Sequence, residues 1–429
     1  MNKSVIAMIG LLLGSPLSQA QGSPAGGVAN TSLPVASDVL GKNLVASDQA
    51  FDEFVLSRLR TNAEYQLLDN QVRQAQIKIE QEDAANSLQI TGGIKHRPVG
   101  EQNNTVSDVG GYLSIQKTLY DWGRVDNRVT SAEQELEARV FENAGRRNEL
   151  SEVLAERYFN VLKADLDLSH MRAQLSDLQH ILLSMTERAE GGSASSLEHE
   201  IMADELLSLE MEISARQLER QKFIEAFENH YGSMPLKWVL PRTALPEPLT
   251  GNLWDAELVR RSPALQALRT QVEAARSMKD ARFADYFPTL KISASYIEVD
   301  LQYKWYTTLD MSYEVYNGGK AGLGVAEQEL KVTEIMLQLQ TQYQKSRDQM
   351  QALLTEYDIQ QRRYRIYDRI ATSKRQLYRT MTERMRSTQG NLREIYNAQK
   401  AAIDATLKRN HAYLDAVYQA YKARLLLGN

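Results

Sequence analysis

The chain has 429 residues, no cysteine, 10 prolines and 6 histidines, and its 50 Lys and Arg are matched by 55 Asp and Glu. Without cysteine there is neither a disulfide nor an acylated cysteine anchor, so stability has to come from packing or from association of copies. Without a basic face, no nucleic acid is expected as a partner. His96, His170, His180, His199, His230 and His411 are scattered, and none makes a helical metal-ligand pair with a third ligand in view. Glu198-His199-Glu200 lacks the second histidine of a metalloprotease helix. Gly318-Gly319 lacks the ending of a P-loop, and Gly322-x-Gly324 is only part of a dinucleotide pattern. No enzyme, metal site or cofactor is therefore expected.

Long apolar runs are missing too, apart from one near the start. Lys3, the stretch Val5 to Leu13 and the small-residue site Ser18-Gln19-Ala20 have the layout of a cleavable secretory signal over residues 1–20. The stretch is too short to span a membrane. An amphipathic first helix of a cytosolic protein is the alternative, but it would not need an uninterrupted apolar run with a small-x-small exit. Gly22 to Asn43 is rich in Gly, Ser, Pro and Ala, so residues 21–46 are expected to form an extended arm.

What the chain has in abundance is helical periodicity. Phe51, Phe54, Val55, Leu59, Leu67, Leu68, Val72, Ile77 and Ile79 sit at helical spacings, which predicts a first helix between Ser47 and Ser87. No proline occurs from Gly123 to Pro235, and Val125 to Glu190 as one helix would extend roughly 99 Å. Within it Leu168, Met171, Leu175, Leu178, Leu182 and Met185 step by threes and fours, the seam of a coiled coil. The partner is expected just after a turn at 191–195, where Ser195 and Glu198 have capping-box spacing. Prolines 235, 241, 246 and 248 then mark a connector over 233–255.

The same order restarts. Ser262-Pro263 is a helix entry and Phe287-Pro288 an exit, and a second proline-free run covers Ala321 to Arg386, with a turn at 387–392. Tyr120-Asp121-Trp122-Gly123-Arg124 before the first run recurs as Tyr316-Asn317-Gly318-Gly319-Lys320 before the second. The expectation is an internal duplication, with repeats at 47–232 and 256–429. In the last run, Ile403, Leu407, Leu414, Val417 and Tyr421 keep a 3/4 rhythm broken by Asn410. Such a residue either sets register or faces a pore.

Short alternating segments precede each motif. They predict strands at 88–97, 106–119, 289–299 and 305–315, with loops at Arg97 to Thr105 and Asp300 to Lys304. Leu290 and Ile292 lie on one face, as do Leu309, Met311 and Tyr313; Lys117 spoils the apolar face of its own strand. Any one such strand fits a half-buried soluble sheet. Four of them, beside long helices and an export signal, have the length and alternation of outer-membrane barrel strands, whose apolar face would meet lipid. Four cannot close, and an open edge cannot face lipid, so several copies must share one barrel. Three copies would give twelve strands and room for a passage.

With that unit in place, the chain resembles the TolC family of outer-membrane export ducts over nearly its whole mature length. The resemblance lies in Leu119-Tyr120-Asp121-Trp122-Gly123-Arg124, in Tyr316 to Lys320, in Ala281-Arg282-Phe283-Ala284-Asp285-Tyr286-Phe287-Pro288 and in Ser262-Pro263-Ala264-Leu265-Gln266, in that order and spacing. It implies an α+β membrane protein, mostly α. A homotrimer would share a 12-stranded β-barrel in outer-membrane lipid and a long periplasmic α-helical barrel. It also implies a passive exit, recruited by an inner-membrane ABC transporter or proton-driven pump and by a periplasmic adaptor that grips the hairpin tips.

On that resemblance Gly191, Gly192, Ser195 and Gly390 become adaptor-docking candidates, although Gly191 and Gly192 also read as plain helix-stop residues. The family narrows its entrance with carboxylates on the second tip. The matching stretch is Glu394-Ile395-Tyr396-Asn397-Ala398, where Glu394 keeps an acid and Asn397 replaces the other. The segment from Gly390 to Ala398 is slightly shorter than the family spacing. Glu394 also follows Asn391 at the spacing of a helix cap and its reciprocal carboxylate, a role compatible with a gate.

Gly123, Gly318 and Gly319 fall where strand must turn into helix, which favours residues free in backbone angle. Trp122 packs at that junction or joins an interfacial aromatic belt, for which Tyr303, Trp305 and Tyr306 are further candidates. Leu-Tyr-Asp-Trp-Gly-Arg looks like secretion-associated members of the family, which favours type I protein secretion as the cargo route. Small-molecule efflux uses similar ducts. A reading of another class is an exported coiled-coil scaffold or adaptor without a channel. An adaptor would have one hairpin between compact β domains, and a scaffold would not need the four strands.

Overall fold

The structure is a computed structural model describing residues 44–101, 104–190, 196–235, 237–242, 244–245, 249, 254–299, 302–387 and 392–428. The expected signal, most of the arm, and Gly191, Gly192, Ser195, Gly390 and Asn391 lie outside the described residues.

β1 (Leu44–Ala46), α1 (Asp48–Leu59) and α2 (Ala63–Asp83) lead to β2 (Gln89–Glu101), β3 (Asn104–Tyr120), α3 (Arg124–Glu190) and α4 (Ser196–Tyr231). Then come β4 (Trp238–Leu240), α5 (Trp254–Arg261), α6 (Pro263–Phe283), β5 (Thr289–Val299), β6 (Gln302–Ser312), α7 (Lys320–Ser387) and α8 (Leu392–Leu426). α3 has 67 residues and α7 has 68.

Several elements differ from the sequence expectation. The single first helix is two, because Asn62, in extended backbone, accepts the Glu64 N–H at 2.8 Å and starts α2 afresh. Apolar spacing does not register such a break. Both expected loops are shorter, since the β2–β3 ladder continues out to Glu101↔Asn104 and β5–β6 to Val299↔Gln302. Pro98 stands in that ladder opposite Ser107.

β6 ends at Ser312, opposite Thr289, because its partner is preceded by Pro288 and offers no further ladder; Tyr313 and Val315 therefore lie beyond the strand. The expected arm and connector are joined, with β1 and β4 pairing in parallel from Leu44↔Trp238 to Ala46↔Leu240. Ser262 precedes Pro263 at the first position of α6, but its side chain makes no capping bond; its carbonyl accepts from the N–H of Leu265 and Gln266 instead.

β2, β3, β5 and β6 form one antiparallel sheet in that order. Beneath it the helices pack in the corresponding order. α2 and α4 lie along α3, α6 and α8 lie between α3 and α7, and α7 stands at the far side. α2 runs beside the first part of α3, as Lys78–Glu135 and Arg147–Asp69 show, and α4 beside its second part, through Arg220–Asp165. α6 and α8 divide α3 similarly, through Gln271–Glu142 and Lys163–Asp415. Every strand thus continues a helix of the same rank.

The largest core gathers where these segments meet near the middle of α3. Phe51 is buried edge-on against Tyr421, ring centroids 5.0 Å apart, and against Tyr158 at 5.8 Å. Such aromatic pairs add about 0.5–1.5 kcal/mol each beyond area burial. The Tyr158 hydroxyl donates to the Val239 carbonyl at 3.0 Å, tying β4 to α3, and burial pushes its pKa up. Nearer the tip, Leu168, Met171, Leu178 and Met185 of α3 pack with Met202, Leu209 and Ile213 of α4. Asn410 is buried, its amide oxygen accepting from Arg409 at 3.0 Å.

Candidate functional site

Register decides which face of the sheet each side chain takes. Ile90↔Ile115, Lys117↔Ile292, Ile292↔Leu309 and Leu290↔Met311 put these residues on one face. Ser114 and Ser295 share a 3.1 Å hydrogen bond on the other, as do Ser293 and Thr308 at 2.6 Å, and Thr308 donates to Asp310 at 3.1 Å. No element among the described residues covers the apolar face: Ile90 is 63% exposed, Leu309 66% and Met311 70%, as open as Thr308 and Asp310 on the polar one. Ser114, Gln116, Ser293 and Ser295 on the polar face are half-buried.

A sheet folded for water would cover its apolar face. Trp305 lies on the apolar face against Tyr296, centroids 4.8 Å apart, whereas Tyr306 pairs with Ser295 on the polar face. Tyr313, expected on the apolar face of the strand, is exposed beyond its end. Both outer strands of the sheet, β2 and β6, are paired on one side only among the described residues.

The two joints between strand and helix are built alike. Trp122 and Gly123 have φ of 61° and 74°, and Gly318 and Gly319 have 67° and 83°. In each, two successive left-handed residues swing the chain from sheet to helix. The Arg124 N–H reaches the Asp121 carbonyl at 3.2 Å and the Lys320 N–H the Asn317 carbonyl at 3.3 Å. Trp122 adopts an angle that L side chains disfavour, and its ring holds it there. It stacks on Phe287 at 4.8 Å, meets Tyr120 edge-on at 5.1 Å, and donates Nε1–H to the Pro288 carbonyl at 2.9 Å.

Trp122 makes these contacts at the junction while remaining 45% exposed. Asp121 adds a cap by accepting the Val125 N–H at 3.0 Å, a role the motif itself did not reveal. Replacing Gly319 by Val is expected to cost about 1–2 kcal/mol through the left-handed backbone, read as a lower thermal midpoint in detergent. Gly324→Ala, within the helix and with 3.9 Å between its new Cβ and the nearest neighbouring atom, serves as the unstrained comparison.

At the start of α8, Glu394 and Asn397 are exposed on one side of the first turns, while Leu392, Ile395, Tyr396 and Ala398 are buried. A feature the sequence did not flag lies behind them. Tyr396 receives a hydrogen bond from Gln174 at 3.1 Å and donates to Glu205 at 3.3 Å, and Lys400 pairs with the same Glu205. Gln399 donates to Asp177. Burial pushes the Tyr396 hydroxyl up to about 12, and the Lys400 hydrogen bond holds the Glu205 carboxyl below its usual range. This network locks the start of α8 onto the α3–α4 hairpin. Deeper in, buried Asp167 of α3 contacts His411 of α8 at 2.7 Å and Arg216 of α4 at 3.6 Å.

Comparison with known proteins places this architecture. Residues 66–227 match the family described as outer membrane efflux protein. A membrane protein from Pseudomonas aeruginosa superposes with a TM-score of 0.73 at 16% identity, covering 90% of this chain and 91% of that one. The outer membrane protein VceC from Vibrio cholerae gives 0.72 at 15%, covering 89% and 97%. The Neisseria gonorrhoeae MtrE outer membrane channel in its open state gives 0.70 at 14%, covering 93% and 94%. The chain has the fold of TolC-like outer-membrane channels. No curated protein matches it.

No helix among the described residues is long and apolar enough to cross a membrane. Nor do the described residues contain a group of three His, Cys, Asp or Glu able to hold a metal ion.

Proposed function

We propose that the chain is the outer-membrane exit duct of a tripartite export system, a passive homotrimeric channel through outer membrane and periplasm. The observation that carries this is a sheet with one polar, hydrogen-bonded face and one apolar face that nothing covers, with both edges open among the described residues and each strand continuing the rank of a helix. Three copies would pair β6 of one with β2 of the next, closing twelve strands around a polar lumen. An open edge has no place in lipid. A scaffold or adaptor without a channel has no use for an apolar sheet face of this kind.

The helical edges support the same closure. α4 exposes Leu207, Met211 and Leu218, and α7 exposes Leu323, Leu330 and Leu337, then Ile359, Ile366, Ile370 and Leu377. Those on α7 recur at heptad spacing, a seam without its partner. The partner is the α2/α4 edge of the next copy. A periplasmic adaptor would grip the hairpin tips, at the turns that include Gly191, Gly192, Ser195 and Gly390, and an inner-membrane ABC transporter or proton-driven pump would supply the energy.

The family description supports efflux as the broad activity, and the structural neighbours support an outer-membrane channel. Type I protein secretion is the second reading, favoured by Leu119-Tyr120-Asp121-Trp122-Gly123-Arg124. Deleting the gene and measuring drug sensitivity beside surface display of a secreted repeat protein separates the two. Glu394, exposed at the first turn of α8, is the proposed gate carboxylate, with Asn397 one turn on. Glu394→Ala is expected to raise single-channel conductance and reduce cation preference in planar bilayers. Unchanged values would leave Glu394 as a helix cap only.

A further inference from the structure

The two joints differ in one respect that bears on ligands. The first carries its own anion, since Asp121 caps α3 and Asp126 follows in the first turn. The second has neutral Asn317 in place of Asp121, and α7 has no acidic residue in its first turn. The start of a long helix is the positive end of its dipole, worth about half a unit charge.

A cavity of about 670 Å³ lies at this second joint, bounded by the starts of α3 and α7, the end of α6 and the polar face of the sheet. Five cations line it: Arg124, Arg128, Arg282, Lys291 and Lys320. Asp285 is divided between Arg124 at 3.6 Å and Arg282 at 3.8 Å. Arg128, Lys291 and Lys320 have no ion-pair partner among the described residues, and the Arg282 Nε is buried without a hydrogen bond. Glu314 and Glu327 also line the cavity, so cations outnumber carboxylates five to three. Thr289, Ser312 and Asn317 add neutral polar groups.

We propose that this cavity binds a phosphate-class anion, which takes at the start of α7 the place that Asp121 takes at the start of α3. Separate cations on α3, on β5 and on α7 would then be held together across the joint by one ligand, with charge-assisted hydrogen bonds from each. The cavity opens on the polar face, so access from a lumen rests on the duct reading; binding itself does not. The phosphate has two possible sources, a soluble anion in transit or the headgroup of a membrane lipid.

The test is calorimetric titration of inorganic pyrophosphate into the detergent-purified full chain, before and after delipidation. Wild type is compared with the triple variant Arg128→Gln, Lys291→Gln, Lys320→Gln and with Asn317→Asp, which would supply the missing carboxylate internally. Saturable binding to wild type is expected, weakened about tenfold or more in both variants, with circular dichroism of both unchanged. Heat seen directly identifies a soluble anion as the source. Heat seen only after delipidation, with phospholipid phosphate released, identifies a headgroup. Absence of heat in both preparations, or equal affinity in all three proteins, overturns the proposal. Bilayer conductance is recorded separately: binding without conductance would strike the duct reading and leave the anion site standing.

Discussion

Leu309→Arg is expected to abolish assembly into the outer membrane, while Tyr306→Arg on the opposite face of the same strand is tolerated. Leu309 sits opposite Ile292 on the apolar face and is 66% exposed. A cation near the bilayer midplane costs roughly 2–4 kcal/mol, so three copies in one barrel lose about 6–12 kcal/mol, comparable to the whole stability of a domain. Tyr306 pairs with Ser295 on the polar face, where a cation stays in water. The measurement is the fraction of each variant that floats with outer-membrane vesicles after expression. The water-soluble sheet predicts the reverse: there Leu309→Arg removes an exposed apolar side chain and is neutral or helpful.

Met211→Glu together with Ile370→Glu is expected to leave the chain folded but unable to associate. Met211 projects from α4 and Ile370 from α7, on opposite sides of the helical layer. They stand at nearly the same level along it. Arg216, five residues from Met211, contacts Asp167, which His411 also contacts; Arg409, two residues before His411, reaches Asp368, two residues before Ile370. A threefold rotation preserves level, so Met211 of one copy would meet Ile370 of the next. Burying each side chain contributes about 1.5–3 kcal/mol per interface, and paired carboxylates there add repulsion instead. Light scattering on the detergent-purified variant should give the mass of one chain, with its helical content unchanged.

How much of this was legible in the sequence varies with the kind of interaction. The α3–α4 seam was plain, because Leu168 to Met185 keep their 3/4 steps without a polar interruption. The joints were marked by Gly123 and Gly318-Gly319, since few residues other than glycine accept positive φ. Trp122 was ambiguous because a tryptophan can hold such an angle only with help from outside the motif, here Phe287 and the Pro288 carbonyl. The break at Arg60 to Asn62 and the end of β6 at Ser312 were missed. Asn62 acts through one side-chain hydrogen bond, and Ser312 ends its strand because of what its distant partner does at Pro288.

The candidate tip was legible only as far as chemistry travels along one helix. Glu394 and Asn397 could be placed on a common side by spacing. The Tyr396, Glu205 and Lys400 group joins α8 to α4 across a fold that spacing alone does not define. Likewise the unpaired seams on α4 and α7 become meaningful only once each helix is known to stand at an edge.

Because the chain has no cysteine, a single engineered pair tests closure without background. Met211→Cys and Ile370→Cys in one chain, oxidised in isolated outer membranes, should give a covalent ladder on denaturing gels that stops at three chains, with each single variant giving no ladder. A product that stays monomeric, or a ladder that runs on past three as an unclosed head-to-tail contact would, would contradict the closed threefold duct.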